Sequence, residues 1–384
     1  MNTTNTSASE TPMNGYSINR LQLALQYLGW SKTQFAARSQ LGRRKISGLL
    51  NGNLPFTDPM AERLMQTAGF PVSFLLLSDG PVSEDKLTLT YDHAKRVDVE
   101  RVLAEYRIIS GMLTRLRSMA NVFPDHSWMD DISPEETPSV ADIRAITQDL
   151  RTLWGMPASG PVSNVTRFAE RNGIVVVPFH NRFGQSKRGV SNPSQTDRIP
   201  LIGYFPIESD GGRLRFDVAH ELGHLILHRK RMPADTGNME FEADVFASML
   251  LMPEMDTRDW FKPDMTLEKF AYIKGHYGIN ITNLITHAAI NGIIDSEREH
   301  QLRDEYARFG WVDNEPVSVE SEFPILLKQV VGSVFGGLED YRTPSVSKTS
   351  VEGFLGLPFD LVNEWCDSKL LVKDDFSLEG LSGD

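Results

Sequence analysis

Cysteine is almost missing from this chain: Cys366 is the only one in 384 residues. No disulfide can form within it, and the apolar helical setting of Val362 to Trp365 makes that lone thiol a buried structural group rather than a nucleophile. Long apolar runs are missing as well. No stretch approaches the ~20 apolar residues that a membrane span requires. The opening MNTTNTSASETPMNG has neither the basic start nor the apolar core of a secretory signal. These absences predict a globular, cytoplasmic protein with no membrane partner. An excess of positive charge is also lacking, since the formal net charge of −12 excludes a chain that coats nucleic acid nonspecifically. There is no internal repeat and no glycine-rich phosphate loop. What remains is ordinary for two or three packed domains: 40% hydrophobic and 23% charged residues.

The charge is unevenly placed. Between Ser17 and Ser78, Arg20, Lys32, Arg38, Arg43, Arg44, Lys45 and Arg63 face only Asp58 and Glu62, a local balance of +5 that leaves −17 on the rest. A small basic module on an acidic body suits one part that meets phosphates. The module reads as short helices. Ile18 to Leu28 is amphipathic and ends at Gly29; Ser31 caps a second helix with Gln34 three residues on; RRKISGLL forms a third, ending at Asn51-Gly52. The third helix turns Ile46, Leu49 and Leu50 inward and Arg43, Arg44, Lys45 and Ser47 outward, with helix-turn-helix spacing to the second.

Most of the chemistry lies between Phe216 and Pro253. His220-Glu221-Leu222-Gly223-His224 puts two imidazoles four residues apart, on one face of a helix, with Glu221 beside them but off that face. Val218, Leu222, Leu225 and Ile226 make the rest of the helix apolar, so polar groups there need a purpose. Such a site holds zinc through three protein donors with one position open and supports metal-assisted hydrolysis, for which the free carboxylate of Glu221 serves as general base. The third donor comes from the next helix. Glu240 has Asp244 four residues on, so Glu240 is assigned as ligand and Asp244 as the group holding a ligand histidine through its other nitrogen; Glu242 is the alternative ligand. His228 shares the side of His224 but runs into Arg229-Lys230-Arg231, and is left out of the ligand set as either a solvated histidine or one that stands behind a ligand.

Two resemblances attach to these motifs. FDVAHELGHLILH, followed by Glu240-Phe-Glu-Ala-Asp244 and Leu250-Leu-Met-Pro253, resembles the ImmA/IrrE family of zinc metallo-endopeptidases, which implies a compact gluzincin-like α+β domain over about 139–310. Residues 18–77, including Lys32-Thr-Gln-Phe-Ala-Ala-Arg38, resemble the lambda-repressor-like (XRE) helix-turn-helix family. That implies operator DNA as a partner, with Arg43, Arg44, Lys45 and Ser47 as its contacts. The first family implies a protein substrate, a neighbouring repressor or antitoxin-like regulator.

The remaining chain sets the domain plan. A disordered tail is expected over 1–16, the helix-turn-helix domain over 17–79, and a linker with a long helix over 80–138. The peptidase domain then spans 139–310 and a helical C-terminal region 311–384. The fold class is multidomain and mainly α with a small sheet. The apolar spacing of Val102, Tyr106, Ile109, Met112, Leu113 and Leu116 predicts the long helix, a candidate dimer surface. Ile174 to Phe179 and Arg198 to Phe205 read as short strands flanking a polar segment, 181–197, that is either a flap over the site or a surface loop. His126 sits in a polar loop as a solvated residue. Polar types suited to stabilising an oxyanion occur at His276, Tyr277 and His287, with nothing in the sequence to choose among them.

Overall fold

A computed structural model describes residues 15–78, 96–180, 189–193, 198–206, 211–231, 236–336, 344–367 and 370–372. The expected N-terminal tail up to residue 14, the polar stretch at 80–94 and most of the 181–197 segment lie outside these residues. The described chain is mainly helical with a small sheet, as expected from its patterning.

The first helices are α1 (Ile18–Leu28), α2 (Lys32–Arg38), α3 (Arg43–Leu50) and α4 (Asp58–Ala68), followed by a 3-10 turn at Val72–Leu76. Their ends are written locally. Ser17 caps α1 and Gly29 closes it at φ 65°, while Ser31 and Gln34 form a reciprocal capping box on α2. Residues 39–42 join α2 to α3, with Gln40 at φ 55° making the turn. Leu21, Phe35, Ile46, Leu49 and Leu64 are fully buried between these helices.

α5 (Arg96–Met119) is the long helix. Its apolar stripe is buried within the chain, and Arg101 crosses Gly29 to donate to the Tyr27 carbonyl at 3.5 Å. Next come α6 (Trp128–Ile132), α7 (Val140–Leu153) and α8 (Val165–Arg171). The sheet follows: β1 (Val175–Pro178), β2 (Val190–Ser191) and β3 (Leu201–Tyr204), in the order β1-β3-β2. β1 runs parallel to β3, with Val175 opposite Leu201, and β2 runs antiparallel to it, with Ser191 opposite Ile202. Alternate strand residues face opposite sides, so the sheet divides two cores. Val175, Val177, Phe179, Leu201 and Phe205 join α1 to α5 and the C-terminal helices. Ile174, Val176, Ile202 and Tyr204 join the other core.

That second core contains α9 (Gly211–Leu227), α10 (Thr236–Leu251), α11 (Glu254–Trp260), α12 (Leu267–Tyr277), α13 (Ile281–Ile290) and α14 (Ser296–Arg308). The stretch after α14 is strapped down by buried carboxylates. Glu315 meets Lys274 at 2.8 Å and accepts the Ile281 N–H, and Glu322 accepts the Thr166 N–H at 2.8 Å. α15 (Leu326–Phe335), β4 (Ser345–Val346), α16 (Lys348–Leu355), α17 (Phe359–Trp365) and β5 (Leu371–Val372) complete the chain. The Cys366 thiol is buried as expected, and burial pushes its pKa up to about 12.

α5, the sheet and α17 meet at Glu105, which is completely buried. Its Oε1 accepts the His180 N–H at 3.0 Å and the Trp365 indole N–H at 2.9 Å, and lies 3.2 Å from His180 Nδ1. Burial opposes charging of His180, but Glu105, Glu364 and Asp367 outweigh it and raise its pKa above the ordinary histidine value. A raised folded-state pKa means that this contribution to stability is complete below the unfolded value of about 6.5 and is lost as pH rises through the folded value. Denaturant midpoints are therefore expected to fall between pH 6 and 8, and His180→Gln should flatten that part of the profile. An unchanged slope in the variant would refute the assignment.

Candidate metal centre

α9 is almost wholly buried, which is unusual for a helix carrying two histidines and two carboxylates. The buried histidines and Glu221 are each engaged by a polar partner. His220 and His224, one turn apart, bring their Nε2 atoms to 3.0 Å. α10 crosses α9 closely because Gly223 has no side chain: a Cβ there would sit 3.1 Å from Phe246 and 3.2 Å from the Ala243 Cα. This approach carries Glu240 over the histidines, its Oε2 lying 3.3 Å from His220 Nε2 and its Oε1 3.2 Å from His224 Nε2. The three donor atoms lie within 4.8 Å of one another, a group that can hold a metal ion. Burial alone would push the Glu240 carboxyl up, but the two imidazoles hold it well below the ordinary carboxylate range.

The far side of each ring is also tied. His220 Nδ1 is 2.8 Å from Asp244 Oδ1. His224 Nδ1 is 3.0 Å from Nδ1 of His228, whose Nε2 lies 3.0 Å from Glu242 Oε2. Glu242 also receives the Arg231 guanidinium. His228 is thus buried beside the cluster rather than solvated, and Glu242 faces it, not the space between His220 and His224. Burial lowers the pKa of both His224 and His228, favouring neutral rings.

Glu221 points to the opposite neighbour, the sheet edge. Its Oε2 accepts the Ser191 hydroxyl at 2.7 Å. A Cβ on Gly189 would fall 2.8 Å from the Glu221 Cγ and 2.5 Å from the Gly203 carbonyl, so only glycine lets the strand approach this close. Burial raises the Glu221 pKa, against the pull of His224, His220 and the Ser191 hydroxyl. Tyr106 on α5 accepts the Asn192 N–H, and burial together with the charge of Glu221 pushes its phenol up. α5 is thereby linked to the strand that holds Glu221.

Residues 169–280 match the family model of the IrrE N-terminal-like domain. This is a peptidase family, and the matched segment, from the end of α8 to the start of α13, is a metallopeptidase-type domain containing the whole His/Glu cluster. The IrrE-like segment leaves out α1 to α7, the Ser139 cap and everything after Asn280. No curated protein matches the chain.

Three candidate oxyanion donors have partners of their own. His287 lies between the hydroxyls of Ser248 at 2.5 Å and Thr257 at 2.6 Å, and burial drives its pKa down to about 3. His276 stacks on Trp260 at 4.8 Å, and Tyr277 is hydrogen bonded to Asp256. The groups beside Glu221 that the sequence did not reveal are Ser191 and Tyr106. Far from the cluster in sequence, α3 exposes Arg43, Arg44 and Lys45 and half-buries Ser47. Among the described residues, no helix is long and apolar enough to cross a membrane.

Proposed function

We propose that the chain is a zinc-dependent endopeptidase fused to a DNA-binding helix-turn-helix module, and that it cleaves a regulatory protein. The convergence of His220 Nε2, His224 Nε2 and a Glu240 carboxylate in the IrrE-like segment carries this reading. The donor set fits zinc, being two imidazoles whose outer contacts orient them and one carboxylate. Bound there, zinc supplies Lewis acidity to a hydrolytic reaction.

The chain's own residues supply the rest. Glu221 takes the proton of the attacking water and hands it to the departing amine. The Ser191 hydroxyl holds that carboxylate at Oε2, leaving Oε1 for the proton. Asp244 fixes the His220 ring so that Nε2 offers its lone pair. In the gluzincin-like fold that the resemblance implies, an edge strand beside the catalytic helix would hold an extended peptide as an added strand.

The N-terminal module supports the second half of the reading. α2 and α3 are joined by four residues, and three cations project from the first turn of α3 while its opposite face is packed. Arg43→Ala combined with Arg44→Ala is expected to weaken operator binding and to lower the salt slope by about 1 for each lost phosphate contact. Fluorescence anisotropy at several salt concentrations reads both; an unchanged slope removes these side chains from the interface. The substrate expected is a protein acting at the same operator, such as a repressor or antitoxin-like regulator. Mapping new protein N-termini in cells carrying the native chain or Glu221→Gln tests the whole reading. A cleaved regulator present only with the native chain supports it, and identical maps would leave the module as a non-enzymatic regulator.

A further inference from the structure

His224 and His228 face each other through like atoms, Nδ1 to Nδ1 at 3.0 Å. Only one proton fits between two such nitrogens, so one ring must donate and the other accept. The choice is made at the far end. Glu242 is buried against the Arg231 guanidinium and, as a carboxylate, only accepts; it therefore takes an N–H from His228 Nε2, 3.0 Å away. That leaves His228 Nδ1 as the acceptor, and His224 Nδ1 as its donor. The lone pair of His224 is then forced onto Nε2, the atom that meets His220 and Glu240.

We propose that His228 and Glu242 are positioning residues, a two-imidazole relay that fixes the tautomer and ring plane of His224 for metal binding. This rests on the reading of His220, His224 and Glu240 as a metal centre. The two histidines of the cluster are thus held by unlike arms. His220 is held directly, by Asp244 at 2.8 Å; His224 is held through a second ring, completely buried, before a carboxylate is reached. Arg231 closes the relay. Besides Glu242, it bonds the Leu227 carbonyl at 2.8 Å and the Thr137 hydroxyl at 3.0 Å, so the end of α9 and the approach to α7 hold the guanidinium in place. The polar run Arg229-Lys230-Arg231 therefore contributes one side chain that turns inward to the site.

Zinc titration of the full chain against a chromophoric chelator tests the relay. His228→Phe keeps a buried ring but removes the acceptor, and is expected to weaken zinc about 10- to 100-fold. His228→Asn restores an oxygen acceptor near the Nδ1 position and should bind zinc more tightly than the phenylalanine variant. Zinc-free unfolding midpoints, measured in parallel, separate positioning from packing. Native-like zinc affinity in His228→Phe overturns the proposal. So does equal loss in both variants accompanied by equal loss of zinc-free stability, which assigns His228 to packing alone. Should His228→Phe fail to fold, Glu242→Ala, which removes the acceptor of the His228 Nε2–H, probes the other end: a loss of affinity with folding intact supports the relay, and none refutes it. A native chain that binds no zinc overturns the metal-centre reading itself, and the relay with it.

Discussion

Glu221→Gln is expected to lower peptide hydrolysis by about 10²- to 10⁴-fold, the range a positioned general base contributes, while leaving zinc content and fold unchanged. Glutamine fills the same volume, and its amide oxygen can still accept the Ser191 hydroxyl that the carboxylate takes at 2.7 Å. What it cannot do is receive a proton. The side chain is buried and is bounded by the Gly189 approach on one side and the histidine helix on the other. Glu240, across the cluster, has its two oxygens committed to His220 and His224. The readout is the rate of disappearance of the intact substrate found by N-terminal mapping, alongside metal analysis. Cleavage at the native rate by a zinc-loaded Glu221→Gln chain would refute the general-base role. Cleavage lost together with zinc would show that Glu221 acts structurally.

The parts of this site that a sequence reveals are those encoded by short offsets. His220 and His224 are four apart, Glu240 and Asp244 are four apart, and the structure brings these four side chains together. Glu240 and Glu242, two residues apart, diverge as a helix requires: one faces the cluster and the other faces His228. The missed contacts are long-range. Ser191 lies in a two-residue strand inside a polar stretch that carries no alternation to detect, and Tyr106 is indistinguishable from its apolar neighbours on α5 until the helix is packed on the sheet edge. Trp365 reaches Glu105 across 260 residues. His228 was legible by spacing, being four beyond His224, but the three cations after it left open whether it is solvated or stands behind a ligand; Arg231, one of those cations, turns inward to Glu242. The same holds for architecture. Local caps and periodicity locate most helices, whereas nothing local shows that the N-terminal helices, α5 and the C-terminal helices share one core on the same face of the sheet.

Metal content should separate the two glutamates of α10 cleanly. The native chain is expected to carry about one zinc, and His220→Ala, His224→Ala and Glu240→Ala to carry almost none, because each removes one of the three donors that converge among the described residues. Glu242→Ala should still bind one zinc per chain, with reduced affinity, since it touches His228 and Arg231 rather than the donor atoms. The same series should appear in stability. A ligand present at 1,000 times its Kd stabilises the folded state by about 4 kcal/mol, so added zinc should raise the unfolding midpoint of the native chain and leave the three donor variants unmoved. Retention of zinc by Glu240→Ala with its loss in Glu242→Ala would reassign the third donor. Absence of zinc from the native chain after reconstitution would end the metallopeptidase reading and leave α3 and its exposed cations as the functional surface to pursue.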